Sequence, residues 1–299
     1  MANHPTDASA LAAIRVSLLA WYATDHRDFP WRRTSDPYAV LVSEVMLQQT
    51  QASRVAERFP LFMSRFPTAA SLAAASEAQV LAAWSGLGYN RRALALRRAA
   101  AAVAADGWPR DLAALERLPG VGTYTAGAIA SLSFGEPVGV VDTNVRRWLV
   151  RRFGLSPATR ARDLQALAEA LALAGDDGDA APWTHATMEF GAAVCTSRNP
   201  RCSTCPIAEG CPSRNVAAIV PVPRQTTFAG SDRAHRGALL RALAASPGHS
   251  VSAAAARRLV SASAFDRVVT GLERDRLLHR SKGIVRLGGP PESAATIGP

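Results

Sequence analysis

The sequence predicts an all-α protein, on three observations. Ala, Leu and Arg dominate its 299 residues, apolar positions recur at helical spacing, and strand-like alternation is confined to residues 137–141 and 278–287. Many short helices joined by short loops imply a compact helical body. The length leaves room for roughly two domains, each with its own core.

The first helical segment, Ala10 to Tyr22, is broken by Arg15 and reads as amphipathic; no cationic start, apolar block and cleavage site mark a leader. Asp36-Pro37 is the clearest helix start, an N-cap followed by Pro at the first helical position. That helix is expected to run to about Phe59, where Pro60 would end it. Further helices are expected near 67–74, 76–85, 90–105, 111–117, 123–133, 143–153, 160–174 and 183–194. After Cys211 the character changes. Residues 216–229, with Pro221 and Pro223, read as a linker. Helices near 232–245, 252–260 and 263–276, followed by a basic hairpin over 277–287, give a winged-helix-like basic domain at 230–288, and 289–299 is expected to be a disordered tail. No run of 18 apolar residues occurs, so no transmembrane helix is expected and the protein reads as cytoplasmic.

Charge is unevenly placed. Of 34 basic and 24 acidic side chains, residues 214–299 hold 13 and 5, a net of +8, against only +2 for the rest. All basic residues but Lys282 are Arg. Biased coding explains Arg for Lys but not charge gathered at one end, which favours a polyanionic partner such as nucleic acid.

Two stretches carry chemistry. Leu118-Pro119-Gly120-Val121-Gly122-Thr123-Tyr124 is a Gly-rich turn opening a helix, so the amides of Gly120, Val121, Gly122 and Thr123 are placed to bind a phosphate. Val140-Val141-Asp142-Thr143-Asn144-Val145-Arg146-Arg147 ends an apolar run with a carboxylate at a helix start, where amides and the macrodipole favour the ionised form. Taken alone Asp142 is a plain N-cap; beside the turn it gains a catalytic reading. On the helix from Pro37, Glu44 shares its face with Val40, Leu41, Leu47 and Gln48 and has no cation at pairing distance. Burial there would raise its pKa and keep a proton available near neutrality.

All four cysteines, Cys195, Cys202, Cys205 and Cys211, fall in one C-x6-C-x2-C-x5-C segment. So dense a cluster suits metal ligation better than disulfides, and spacing alone leaves structural zinc and an iron–sulfur cluster both open.

The turn and the Asp-bearing stretch together resemble the helix-hairpin-helix glycosylases that include endonuclease III. Val42-Ser43-Glu44-Val45-Met46-Leu47-Gln48-Gln49-Thr50, with Phe29-Pro30-Trp31-Arg32 before it and Gly86-Leu87-Gly88-Tyr89 after it, resembles the adenine-specific, MutY-type branch over residues 8–215. The resemblance implies a glycosylase domain over 1–215, with a six-helix barrel at about 30–137 and an iron–sulfur helical module from about 8–29 plus 138–215. It implies one four-iron four-sulfur cluster on the four cysteines, with Arg198, Arg201 and Arg214 near DNA phosphate. It further implies base excision repair on double-stranded DNA carrying adenine opposite 8-oxoguanine or guanine, by a nucleoid-associated monomer. By the same resemblance Glu44 is the general acid, Asp142 the stabilising anion, and Tyr124 and Asn144 their positioning partners. Arg32, Trp31 and Glu189 would contact the extruded base, while Gln49 and Tyr89 would wedge into the duplex. Tyr124 stands where strand-cleaving relatives carry Lys, which implies a hydrolase without lyase chemistry. The C-terminal region lacks the strands of the nudix-type domain that many relatives carry. The alternatives are a mismatch-specific thymine glycosylase, an endonuclease III-like enzyme acting on oxidised pyrimidines, and a noncatalytic iron–sulfur DNA-binding protein.

Overall fold

The computed structural model describes residues 7–175, 179–215, 227–228 and 230–290. Its elements in chain order are α1 (Ala8–Asp25), α2 (Pro37–Leu47), α3 (Ala52–Arg65), α4 (Ala69–Ala74), α5 (Glu77–Ala83), α6 (Arg91–Asp106), α7 (Leu112–Glu116), α8 (Thr123–Phe134), α9 (Thr143–Arg152), α10 (Ala161–Leu173), α11 (Ala180–Ala193), α12 (Asp232–Ala245), β1 (Ser250–Ser252), α13 (Ala253–Leu259), α14 (Phe265–Arg274), β2 (Leu278–Ser281) and β3 (Ile284–Leu287). Among the described residues no helix is long and apolar enough to cross a membrane. The chain divides into two compact units, one of residues 1–44, 108–117 and 121–223, the other of 45–107, 118–120 and 224–299.

In the first unit α11 packs against α1, α8 and α9. Phe190 is central. Trp21 and Trp148 meet its ring edge-on at 5.8 and 5.9 Å, an arrangement the aromatic quadrupoles favour. Leu18, Leu149, Leu164 and Leu171 complete the core. Buried Arg15 ion-pairs with Asp179, donates to Leu171 O and lies 4.7 Å over Trp183, so its charge is paired although Nε has no acceptor among the described residues.

The second unit is built on α3–α6, with Phe62 set against Phe66 at 5.0 Å and Trp84 at 5.9 Å. Onto it folds the C-terminal module, α12-β1-α13-α14-β2-β3, whose antiparallel sheet runs in the order β1-β3-β2. This is the order of a winged helix. α12 and β3 pack on α5. Polar ties reinforce the joint: Gly289 N–H donates to Glu77 Oε2 at 2.8 Å, and Asp275 pairs with Arg236 at 2.5 Å and Arg91 at 3.8 Å.

Four expectations need correction. The helix from Pro37 does not reach Phe59; it ends at Leu47, a turn intervenes with Gln49 at φ +57°, and α3 begins at Ala52. Pro60 lies inside α3, on its exposed side, where water can take the carbonyl it leaves without a donor. Residues 137–141 form no strand: Gln165 Nε2 donates to Gly139 O at 2.7 Å, and a Cβ at Gly139 would stand 2.6 Å from Glu169 N, so the segment lies directly on α10. The expected tail starts too early, because Gly289 is bonded to Glu77. Residues 291–299, and most of the 216–229 linker, lie outside the described residues.

Candidate active site

α2 is buried all round rather than along one stripe, with Ala39 to Met46 shielded from solvent. Glu44 is therefore enclosed, 3% exposed, and its Oε2 has no hydrogen-bond partner among the described residues. Burial pushes its carboxyl up to about 7; a hydrogen bond from Tyr124 and the charge of Arg32 oppose this, while the charge of Asp142 adds to it. Burial and the facing charges of Glu44 and Asp142 likewise hold Tyr124 as a neutral phenol, whose hydroxyl oxygen lies 3.8 Å from Met188 Sδ.

Asp142 has the opposite surroundings. It caps α9, accepting from Asn144 N at 2.8 Å, Val145 N at 2.6 Å and Asn144 Nδ2 at 2.7 Å. Burial raises its pKa overall, where helix-end chemistry alone predicts a lowering, and the donors together with Arg147 hold that rise back. Three N–H donors and no acceptor make the carboxylate the form that fits.

Arg147 extends this arrangement along α9. It donates to Asn144 Oδ1 at 2.9 Å, to Cys195 O at 2.7 Å and to Gly191 O. Gly191 is required: a Cβ there would lie 2.6 Å from Asn144 O and 2.9 Å from Asn144 Cβ. One turn on, Arg151 donates to Thr196 O at 2.6 Å and Ser197 O at 3.0 Å, and reaches Cys195 Sγ at 3.5 Å. The four cysteines line one cavity and form no disulfide. Four thiols around a shared space are a donor set that an iron–sulfur cluster takes. Arg198, Arg201 and Arg214 are all exposed beside them.

A second constellation surrounds Glu189, whose side chain is fully buried. Arg27 Nε and Nη2 donate to it at 2.5 and 2.9 Å, and Arg32 Nη2 at 2.7 Å. Burial alone would raise its pKa; the two guanidiniums outweigh it and hold the carboxyl low. Both lie 5.1 Å over the Phe29 ring, which stacks on buried Trp31 at 4.7 Å. Nearby His185 is pushed down to about 4, by burial and then by Arg32 and His26, and so stays neutral.

The hairpin residues fall as expected between α7 and α8. Gly120 adopts φ +81°, and a Cβ on it would stand 2.8 Å from Ala95 Cβ. Gly122 caps α8 with no side-chain hydrogen bond, leaving the first-turn amides open to an anion. Gln49 and Tyr89 are exposed, both at positive φ, +57° and +46°. Sequence reasoning missed Arg27 and His185, whose partners lie far off in the chain. Arg147, three residues past Asn144 on a helix, was within reach of a spacing argument.

Residues 42–173 match the HhH-GPD superfamily of base excision DNA repair proteins, and residues 195–211 match the iron–sulfur binding domain of endonuclease III. The chain is 44% identical over 240 residues to the adenine DNA glycosylase of Mycolicibacterium smegmatis, covering 76% of this chain and 79% of that protein. It is 43% identical over 224 residues to the human adenine DNA glycosylase, covering 70% of this chain and 40% of the human one. Among solved structures, a thermostable thymine-DNA glycosylase aligns with a TM-score of 0.64 at 31% identity, over 70% of this chain and 99% of that one. Endonuclease III from a trapped DNA complex aligns at 0.59 over 70% of this chain and 97% of that one; at 21% identity it speaks for the fold alone.

Proposed function

The chain belongs to the adenine DNA glycosylase family, DNA-acting base excision repair enzymes of the HhH-GPD superfamily that carry a four-iron four-sulfur cluster, and from that premise we propose that it hydrolyses the N-glycosidic bond of adenine opposite 8-oxoguanine or guanine. The observation that carries this reading is the pair of buried carboxyls in unlike surroundings. Glu44 is raised to about 7 with one oxygen unpaired; Asp142 is ringed by N–H donors. In this reading Glu44 gives its proton to the extruded base, which leaves with the bonding electron pair of the glycosidic bond. Positive charge develops on the sugar and Asp142 stabilises it. Water then adds to the sugar and gives its proton to the Glu44 carboxylate, which restores the acid, so bond, charge and proton all balance. Tyr124 and Asn144 position the two acids. The Arg32, Trp31 and Glu189 group lines the place of the base.

The hairpin amides at Gly120, Val121, Gly122 and Thr123 would take a backbone phosphate, and Gln49 and Tyr89 would enter the duplex beside the lesion. Cys195, Cys202, Cys205 and Cys211 would hold the cluster, which would serve as a structural centre for residues 195–211. The basic module at 230–288 would add salt-sensitive affinity for the duplex, and the enzyme would act as a monomer. With Tyr124 at the hairpin, the side chain at that position offers a phenol and not an amine to the sugar.

The test is base release. Duplexes holding adenine opposite 8-oxoguanine, adenine opposite guanine, or thymine opposite guanine are incubated with the enzyme and then heated in alkali. Breakage at adenine supports the reading. Breakage only at thymine would favour the second reading, a mismatch-specific thymine glycosylase, which the 31% identity to a solved thymine-DNA glycosylase keeps in view. Breakage before alkali, with an adduct trapped by borohydride, would overturn the hydrolase assignment.

A further inference from the structure

Arg92 is a half-buried cation that meets no carboxylate among the described residues. Its Nη1 donates to Val45 O at 2.7 Å, Met46 O at 3.3 Å and Gln48 O, all at the C-terminal end of α2. Its Nη2 donates to Thr50 Oγ1 at 3.1 Å and Gly88 O at 3.3 Å. The guanidinium also lies 5.5 Å over the Trp84 ring and 5.3 Å over that of Tyr89. Gln48, Thr50, Gly88 and Tyr89 lie on the two turns at 48–50 and 87–89, while Val45, Met46 and Trp84 lie just before them. The turns are joined directly as well, Thr50 Oγ1 donating to Leu87 O at 3.4 Å, and Trp84 Nε1 donates to Gly88 O at 3.0 Å.

Gln49 and Tyr89 are the residues that need such support. Each side chain is exposed, and each backbone sits in the left-handed region that costs a non-glycine residue roughly 1–3 kcal/mol relative to a relaxed conformation. Without a brace, both turns would relax and the two side chains would part. Five oxygen acceptors and two rings around one guanidinium hold them instead. The helix end itself attracts the cation, because its last carbonyls carry partial negative charge.

We propose that Arg92 is the positioning residue that locks Gln49 and Tyr89 into a preformed two-pronged wedge, so that the duplex is entered without reordering of the protein. This rests on the reading of those two residues as the wedge. The choice of Arg over Lys follows from the same geometry. A planar fork reaches both turns at once, whereas an ammonium has three donors at one point. Burial lowers Arg92 to about 10, still fully charged at neutral pH; the same burial would bring a lysine close to losing its proton.

The experiment uses the full-length, cluster-bearing enzyme, with cluster absorption and thermal melting as folding controls. Single-turnover excision is measured for Arg92→Met on two substrates: adenine opposite 8-oxoguanine in an intact duplex, and the same adenine inside a run of mismatches where it is already unstacked. The expected result is a loss of about ten- to a hundredfold on the duplex, with the mismatch substrate changed by no more than about twofold. Gln49→Ala/Tyr89→Ala should show the same split, and adding Arg92→Met to it should slow excision no further. Equal loss on both substrates, or losses that multiply in the combined variant, would overturn the proposal. If the wedge variant is impaired and Arg92→Met is not, the brace alone falls. If the wedge variant matches the parent enzyme, the wedge reading falls and the brace with it. Should Arg92→Met lose its cluster, Arg92→Lys carries the test, with a smaller loss and the same substrate split expected.

Discussion

Glu44 and Asp142 are chemically near-identical groups in the same unit, and almost everything around them differs. Glu44 emerges from the middle of a helix, among Val40, Leu41 and Val45, and finds no partner for one oxygen. Asp142 stands at a helix start and is met by three N–H donors. Burial lifts both. The difference lies in what each environment can satisfy: a proton on Glu44, a negative charge on Asp142. Surroundings rather than residue type assign the acid and the anion.

The largest test of that contrast is to exchange each carboxyl for its amide. Glu44→Gln removes the only proton the comparison provides and should slow adenine release by about 10² to 10⁴-fold. Asp142→Asn keeps the shape but loses the charge, and should cost about 10² to 10³-fold, with duplex binding retained in both. Single-turnover kinetics with a gel-shift control reads each. A variant that excised at the parental rate would end the assignment.

Titration sharpens the contrast next. Excision needs Glu44 protonated, so the rate should fall as pH rises through about 7, by up to about tenfold per unit beyond it. A rate still climbing to pH 9 would place the decisive proton elsewhere. The same shift is a statement about folding. Glu44 moves from 4.5 to about 7 on folding, so the stability it contributes is fully present below 4.5 and lost as pH rises through 7, a change of about 3 kcal/mol. Glu44→Gln should therefore melt higher than the parent at pH 8 and lose that advantage at pH 5.

Smaller effects test the support of Asp142. Arg147→Met leaves Asn144 Oδ1 and Cys195 O without their shared donor and should slow excision by about tenfold, through Asn144 and not through the base. Gly191→Ala forces a methyl against Asn144 and should cost about 1–3 kcal/mol, seen as a melting point lower by a few degrees, with a milder loss of rate.

Much of this site could be read from the chain because its signals are local. The Pro37 start, the Gly-rich hairpin, the cysteine spacing and the three helices with a basic hairpin all declare themselves within a few residues. Glu44 was legible through its missing i±3 and i±4 partners. What escaped notice depends on contacts distant in sequence. Arg27 meets Glu189 across 162 positions, and Arg92 looks like any cation on an Arg-rich helix until α2 ends against it. Pro60 was misread because tolerance of proline depends on which side faces water. β1 has three residues, too few to show alternation, and becomes a strand only by pairing with β3.

Lys282 occupies the exposed turn between β2 and β3, at φ +48°. It is also the only lysine in 299 residues. Amine-directed acylation can therefore mark this protein at a single side chain besides its N-terminus, without mutagenesis. A fluorophore installed there would report, by energy transfer to a labelled oligonucleotide, how near the wing comes to the helix axis during a repair cycle.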